Sequence, residues 1–369
     1  MRKTLFMCLL LLLIFAVHQP SAFADSILEG AAEAAGTDEL TSGFSEEERS
    51  ILGAEDVLQD YDAQGALARF RDYVLERAKT ELCAQFAFAG RMIALLLFCA
   101  LSEALTDHAA AKEGIALTAC CCAAAWIAGD WDSGITQALH TLDRLSDYSR
   151  AALPVLYTAA AAAGAVSSAP IRYAAASLAT EVMMTISRSL VLPFIYAYLA
   201  LSLTLCICAS PILRVVQRLI RRAAVLLLSI ATSAFGLYVG LSGLVAASTD
   251  ALAVKAARTV LSGVLPVVGG ILADSAAALV SAAAVIRNAA GALSLLAVCL
   301  ICAGPLVFLL VKMLLLRALC TFAEVLPGGT LPRFLGDCGD VFSLLIGMVG
   351  SSAVMLFFSL MTGLKAVSG

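Results

Sequence analysis

Apolar residues fill this chain in long blocks, and charges stand between the blocks rather than inside them. There are 21 uncharged residues between Arg150 and Arg172, 25 between Arg188 and Arg214, and 27 between Arg222 and Asp250. Two further runs of 24 lie between Arg287 and Lys312 and between Asp340 and Lys365. A hydrocarbon core of about 30 Å is crossed by about 20 helical residues, so every run is long enough. Five of them do not fit one soluble core. The pattern predicts an all-α, polytopic helical membrane protein with about six to eight membrane segments. The expected segments are 84–101, 115–128, 153–169, 190–212, 223–247, a broken region at 260–286, then 292–316 and 342–364.

The broken region is the stretch "VLPVVGGILAD", residues 264 to 274. Pro266 removes a backbone donor, Gly269 and Gly270 weaken a helix, and Asp274 is costly in lipid. Asp250, Lys255, Arg258, Asp274, Arg287 and Asn288 bracket two uncharged runs of 15 and 12 residues. Neither is long enough to cross as a straight helix. Together they fit a re-entrant hairpin or one discontinuous helix, the device by which transporters aim helix ends at a solute. They fit equally a pair of helices lying at the membrane surface, with the charges solvated.

Composition agrees with a membrane chain. Of 369 residues 61% are hydrophobic and 14% charged, against about 25% charged in a soluble domain. The N-terminus reads as a secretory signal peptide, residues 1–24: Arg2 and Lys3, an apolar stretch to Val17, then Ala22 and Ala24 in an A-x-A site. An uncleaved signal anchor is the alternative, and in both cases residue 25 starts outside the cytoplasm. Residues 25–80 form an acidic segment, 14 Asp/Glu against 5 Lys/Arg, net −9. "SEEE" at Ser45 to Glu48 fits a capping box, and Leu67, Phe70 and Val74 stand at helical spacing. The acidity serves solubility or a partner surface. Residues 81–369 form the transmembrane bundle, with its broken part at 250–291. Most of the twelve cysteines lie in apolar runs, where a thiol packs as a small hydrophobe, and Cys120, Cys121 and Cys122 point in different directions on a helix.

Orientation exposes a conflict. Arg214, Arg218, Arg221 and Arg222 form a loop without nearby acids, which the positive-inside rule puts in the cytoplasm. Starting outside, four full crossings before that loop would leave it outside. One of the early segments, 115–128 or 153–169, therefore does not cross. Packing signals are weaker: Gly236, Gly240 and Gly243 form a small-residue seam that suits a tight bundle, within the chain, with a partner or in a homo-oligomer. Chemistry is scarce. Of three histidines one lies in the signal peptide, and no metalloprotease, phosphate-loop, nucleophile-elbow or dinucleotide motif occurs. An Asp250–Asp274 dyad rests on no motif. The expectation is a non-enzymatic protein with no catalytic residue, metal or cofactor, no nucleic acid, and the lipid bilayer as its surroundings.

The run from Leu241 to Gly291, with "TDALAVKAAR", "LPVVGGILADSAAALV" and "IRNAAG", closely resembles the corresponding block of the stage III sporulation protein AE family. The likeness continues through "AGPLVFLLVKMLLLRALCTFAEVLP" and "MLFFSLMTGLKA", covering roughly residues 190 to 365; over 25 to 150 only the layout agrees. The resemblance implies a multi-pass protein of the mother-cell membrane around the forespore. It implies a place in a transenvelope channel or secretion complex of endospore formation. Implied partners are the other stage III A proteins, including a cytoplasmic ATPase and ring-forming proteins of the intermembrane space, and a forespore-side protein. On that reading the broken region (Asp250, Lys255, Pro266, Gly269, Gly270, Asp274, Arg287, Asn288) lines a conduit or docks a partner. A membrane scaffold and a stand-alone secondary transporter are the alternatives.

Overall fold

The computed structural model describes residues 44, 46–52, 63–162, 168–208, 210–264, 269–326 and 330–364, with backbone alone over 239–264 and 269–290. Among the described residues there are helices and no strand. In chain order they are α1 (Glu46–Leu52), α2 (Ala63–Ala104), α3 (Ala109–Ala162) and α4 (Ser168–Ile186). A π turn (Ser187–Val191) comes next, then α5 (Leu192–Ile207), α6 (Pro211–Val264), α7 (Gly269–Glu324) and α8 (Leu331–Leu364). Since α4, the π turn and α5 run on as one rod, six helices among the described residues are long and apolar enough to cross a membrane. The predicted signal peptide, Ser45 of the capping box and Pro266 lie outside the described residues.

The expected segments 115–128 and 153–169 are not separate. The first and most of the second belong to α3, a single helix of 54 residues. Between them stand Asp130, Asp132, Asp143, Arg144, Asp147 and Arg150, which look like a loop when only charge is counted. The apolar positions give the reason for the helix. Ile127, Trp131, Ile135, Ala138, Leu142, Leu145, Ala152 and Leu156 are all buried, and steps of three and four put them on one stripe. Three helices long and apolar enough to cross, rather than four, therefore precede the arginine cluster among the described residues, a number compatible with the positive-inside reading. Likewise there is no break at residue 80, because the helix through Leu67 and Val74 continues to Ala104 as α2.

The π turn has a local cause. Pro193 lacks an N–H and its ring would meet the carbonyl four residues back. The helix widens just before it, and the N–H of Leu192 bonds the Ser187 carbonyl five residues away. Pro211 opens α6 at a position where a missing N–H costs nothing, with the Ser210 carbonyl accepting from Arg214 N at 3.3 Å.

Side-chain contacts set the packing. The α4–α5 rod runs antiparallel to α8: Thr180 meets Ser359 at 3.4 Å, Ser187 meets Ser352 at 3.2 Å, and Tyr198 reaches Asp337 at 3.3 Å. α6 runs parallel to α8, with Arg221 on Asp340 and Leu228 beside Gly347. α7 is antiparallel to α8 and to α3, and α8 lies in the middle, touching α3, α4, α5, α6 and α7. Successive crossing helices thus alternate in direction. The start of α6, the end of α7 and the start of α8 meet at one end of the bundle, the end that carries the arginines.

Candidate functional site

At the arginine end, charge and hydroxyl groups enter a bundle that is otherwise apolar. α8 opens with Asp337 and Asp340 one turn apart, so both carboxylates face the same side. Asp340 accepts from Arg221 of α6 at 2.8 Å and from Arg317 of α7 at 3.0 Å. Its half-buried carboxylate thereby ties three helices together. Asp337 has no cation within ion-pair distance among the described residues; the Tyr198 hydroxyl donates to it at 3.3 Å and stands 3.4 Å from Asp340. Behind it, Gln217 donates to the Ser202 hydroxyl at 2.9 Å, and that hydroxyl donates to the Tyr198 carbonyl at 2.8 Å. Beside this network lies a shallow indentation of about 20 Å³, with Arg214, Arg333, Thr330, Ser202 and Asp337 in its wall.

A second charge pair lies deeper. Lys312 of α7 is 3% exposed, and its Nζ meets Asp130 of α3 at 2.6 Å. Phe88 lies 4.8 Å and Phe308 5.9 Å from the ammonium, measured to the ring centres, so aromatic faces cover what the carboxylate does not. An ionisable pair inside an apolar helix bundle is retained only where it is paired and needed.

Farther along, hydroxyls form a seam between α3, α4 and α8. Tyr157 donates to the Ser359 carbonyl at 2.9 Å and lies 2.9 Å from the Thr362 hydroxyl, and Arg172 reaches the Thr362 carbonyl at 3.2 Å. These bonds satisfy buried polar atoms and fix helix register.

The residues singled out from sequence are distributed differently. Arg214, Arg218, Arg221 and Arg222 occupy the first turns of α6, and of these Arg221 joins the network around Asp340. Asp250 and Lys255 stand in the far part of α6, and Gly269, Gly270, Asp274, Arg287 and Asn288 in the first part of α7, where backbone alone is described. The backbone is helical up to Val264 and again from Gly269, so the two arms beside the Pro/Gly stretch are continuous with the neighbouring spans. Among the described residues Gly236 has no neighbour within 4 Å of a β-carbon built there. Gly240 and Gly243 are described by backbone alone. Among the described residues close approaches occur at Gly134, whose β-carbon would stand 3.0 Å from Phe342, and at Gly363, 2.8 Å from Leu156. Sequence reasoning missed Asp337, Asp340, Lys312 and Asp130 as site residues. Their signal was present: Lys312 is a lone cation between strongly apolar stretches, and intramembrane ionisable residues mark function by default. Among the described residues no group of three or more His, Cys, Asp or Glu is arranged to hold a metal ion.

Six long apolar helices around internal ion pairs define a multi-pass α-helical membrane protein. The sequence profile of stage III sporulation protein AE matches residues 55–366, nearly the whole chain. The chain belongs to that family and is a sporulation membrane component. No curated protein and no solved structure matches it.

Proposed function

We propose that the chain is a non-enzymatic part of a transenvelope channel or secretion complex between mother cell and forespore. It sits in the mother-cell membrane around the forespore. There it works with the other stage III A proteins: a cytoplasmic ATPase, ring-forming proteins of the intermembrane space and a forespore-side protein. Family membership over residues 55–366 carries this reading. The helix count supports one orientation. From a start outside the cytoplasm, α2, α3 and the α4–α5 rod make three crossings and bring Arg214 to Arg222 to the cytoplasmic side. Three more crossings return the C-terminal end of α8 to the intermembrane space.

The centre of the described bundle is filled: Leu142, Leu145, Met183, Phe342, Leu345 and Met348 are fully buried. A solute path therefore runs along the outside of a bundle, closed by other copies or partners, or passes residues 239–290, rather than running down the axis. The same filled core supports the scaffold alternative, in which the bundle only anchors rings and ATPase. Asp274→Asn separates the two. If the broken region lines a path, the substitution impairs forespore development while the partners still co-purify. Loss of co-purification with Asp274→Asn or Pro266→Ala favours the scaffold. Transport by the purified chain alone in vesicles would sink both readings in favour of a stand-alone transporter.

A further inference from the structure

α6, α7 and α8 each carry an uncharged run of membrane length, and their contacts put the three runs at one level. Leu228 of α6 stands beside Gly347 of α8, and Leu309 of α7 and Leu345 of α8 both pack around Gly134. α4 is tied to the same stretch of α8 through Thr180 with Ser359 and Ser187 with Ser352. The residues next to those anchors are Glu181 and Arg188, and they point outward. Glu181 accepts from Arg150 of α3 at 3.1 Å, and Arg188 pairs with Asp143 of α3. The four side chains are 40% to 65% exposed. At a level where three helices carry no charge at all, the outer face of α3 and α4 is ionic.

This face is continuous. On α3 the exposed positions Asp132, Thr136, His140, Asp143, Asp147, Arg150 and Thr158 succeed one another at steps that keep one side of the helix. At the same height α6, which packs against α4, exposes Leu226 and Ile230 at 58% and 64%. α2 is mixed at this height: Tyr73 lies beside Gly304, within the uncharged run of α7, and the pairs Arg71–Asp72 and Arg77–Glu81 alternate with exposed Leu75 and Leu82. At one height the bundle thus exposes aliphatic side chains on α6 and an ionic row on α3 that reaches Glu181 and Arg188 of the α4–α5 rod, where Leu178 and Leu190 are exposed as well.

Solvated charges facing acyl chains are strongly unfavourable, and charged residues in membrane helices face a water-filled cavity or a paired interior. The interior is already packed, and these side chains are outside it. We infer that the outer face of α3 and α4, from Asp132 to Arg150 and across to Glu181 and Arg188, lines a water-filled path within the membrane. Other copies of the chain or its partners close the path on the opposite side. The inference rests on the conduit reading and adds α3 and α4 to the lining. Four carboxylates, Asp132, Asp143, Asp147 and Glu181, stand against two arginines, so the path suits water and hydrated cations over anions.

The test is thiol labelling with peptide mapping, on the full chain in membranes of cells that make the complex. His140→Cys and Asp147→Cys report the ionic face; Leu226→Cys and Ile230→Cys report α6 at the same height. All four positions are exposed in the single chain, so each variant keeps the core intact. The expected result is at least about tenfold faster reaction at 140 and 147 than at 226 and 230, because a thiol in lipid stays protonated and unreactive. A cationic thiosulfonate should outpace an anionic one at 140 and 147. In parallel, a phospholipid with a photoreactive acyl chain should label the peptide holding 226 and 230 and leave 140–147 unlabelled. Equal fast reaction at all four positions would put this level outside the bilayer and overturn the inference. Slow reaction at 140 and 147 overturns it too, with lipid labelling there meaning a lipid face and none meaning a protein interface. Accessibility is read in isolated membranes, whereas the conduit role is read from forespore development, so one can fail while the other stands.

Discussion

Replacing Lys312 and Asp130 singly and together tests how the bundle tolerates a buried charge. At 2.6 Å the pair attracts by about 6 kcal/mol in an effective dielectric of about 20. Taking the two ions out of water costs several kcal/mol each, so the intact pair is close to neutral against an apolar substitute. Removing one partner is different, because the other charge stays buried; the expected loss is about 3–5 kcal/mol. The structure also sets an order. The Lys312 side chain is 4% exposed and Asp130 24%, so an abandoned lysine is worse placed than an abandoned aspartate. Asp130→Leu should therefore cost more than Lys312→Met, near the top and the bottom of that range. The double variant should return to within about 1 kcal/mol of the native chain, since Phe88 and Phe308 already provide an apolar wall. Reversible unfolding in mixed micelles measures all four corners of the cycle. Additive losses in the double variant, or Lys312→Met as the costlier single change, would refute the reasoning.

Two further outcomes come from the packing. Gly134→Ala should destabilise by about 1–3 kcal/mol in the same assay, because its β-carbon lands 3.0 Å from the Phe342 ring; Gly236→Ala, with no described atom within 4 Å of the new β-carbon, should be neutral or stabilising. A loss of self-association in Gly236→Ala at unchanged stability would instead mark that glycine as a contact between chains. Asp340→Asn should cost about 1.5–3 kcal/mol for each of the two arginine bonds it weakens, and Asp337→Asn less than half of that, since among the described residues it has neutral donors and no cation at ion-pair distance. Equal losses at the two positions would count against Asp340 as the tie between α6, α7 and α8.

Much of the architecture was legible in spacing. Uncharged runs located the cores of α5, α6, α7 and α8, because a membrane helix must hide its backbone inside one long apolar stretch. The same rule failed at α3. Its middle third is held by the buried stripe from Trp131 to Leu145, a soluble-type amphipathic pattern that a search for uncharged residues passes over. The arginine loop pointed at the fault by itself, since four crossings could not be reconciled with it. The site was less legible. Asp340 and Lys312 served as the borders of uncharged runs, and a border residue is easily read as solvated; that Asp340 holds two arginines from other helices depends on which helices are neighbours. Local sequence carries no record of that.

The widened turn at Ser187–Val191 is one place where the length of the chain and the shape of the bundle are uncoupled. In an ordinary helix, gaining or losing one residue swings everything beyond it by about 100°, which would pull Tyr198 and Ser202 away from α8. Here a spare residue is already stored as slack, and removing it lets the turn close to a regular helix without rotating α5 beyond it. The rod can thus shorten by a residue between its ionic upper half and its apolar lower half while both keep their bearings on α8. It behaves as a slip joint in a molecule whose other helices are keyed.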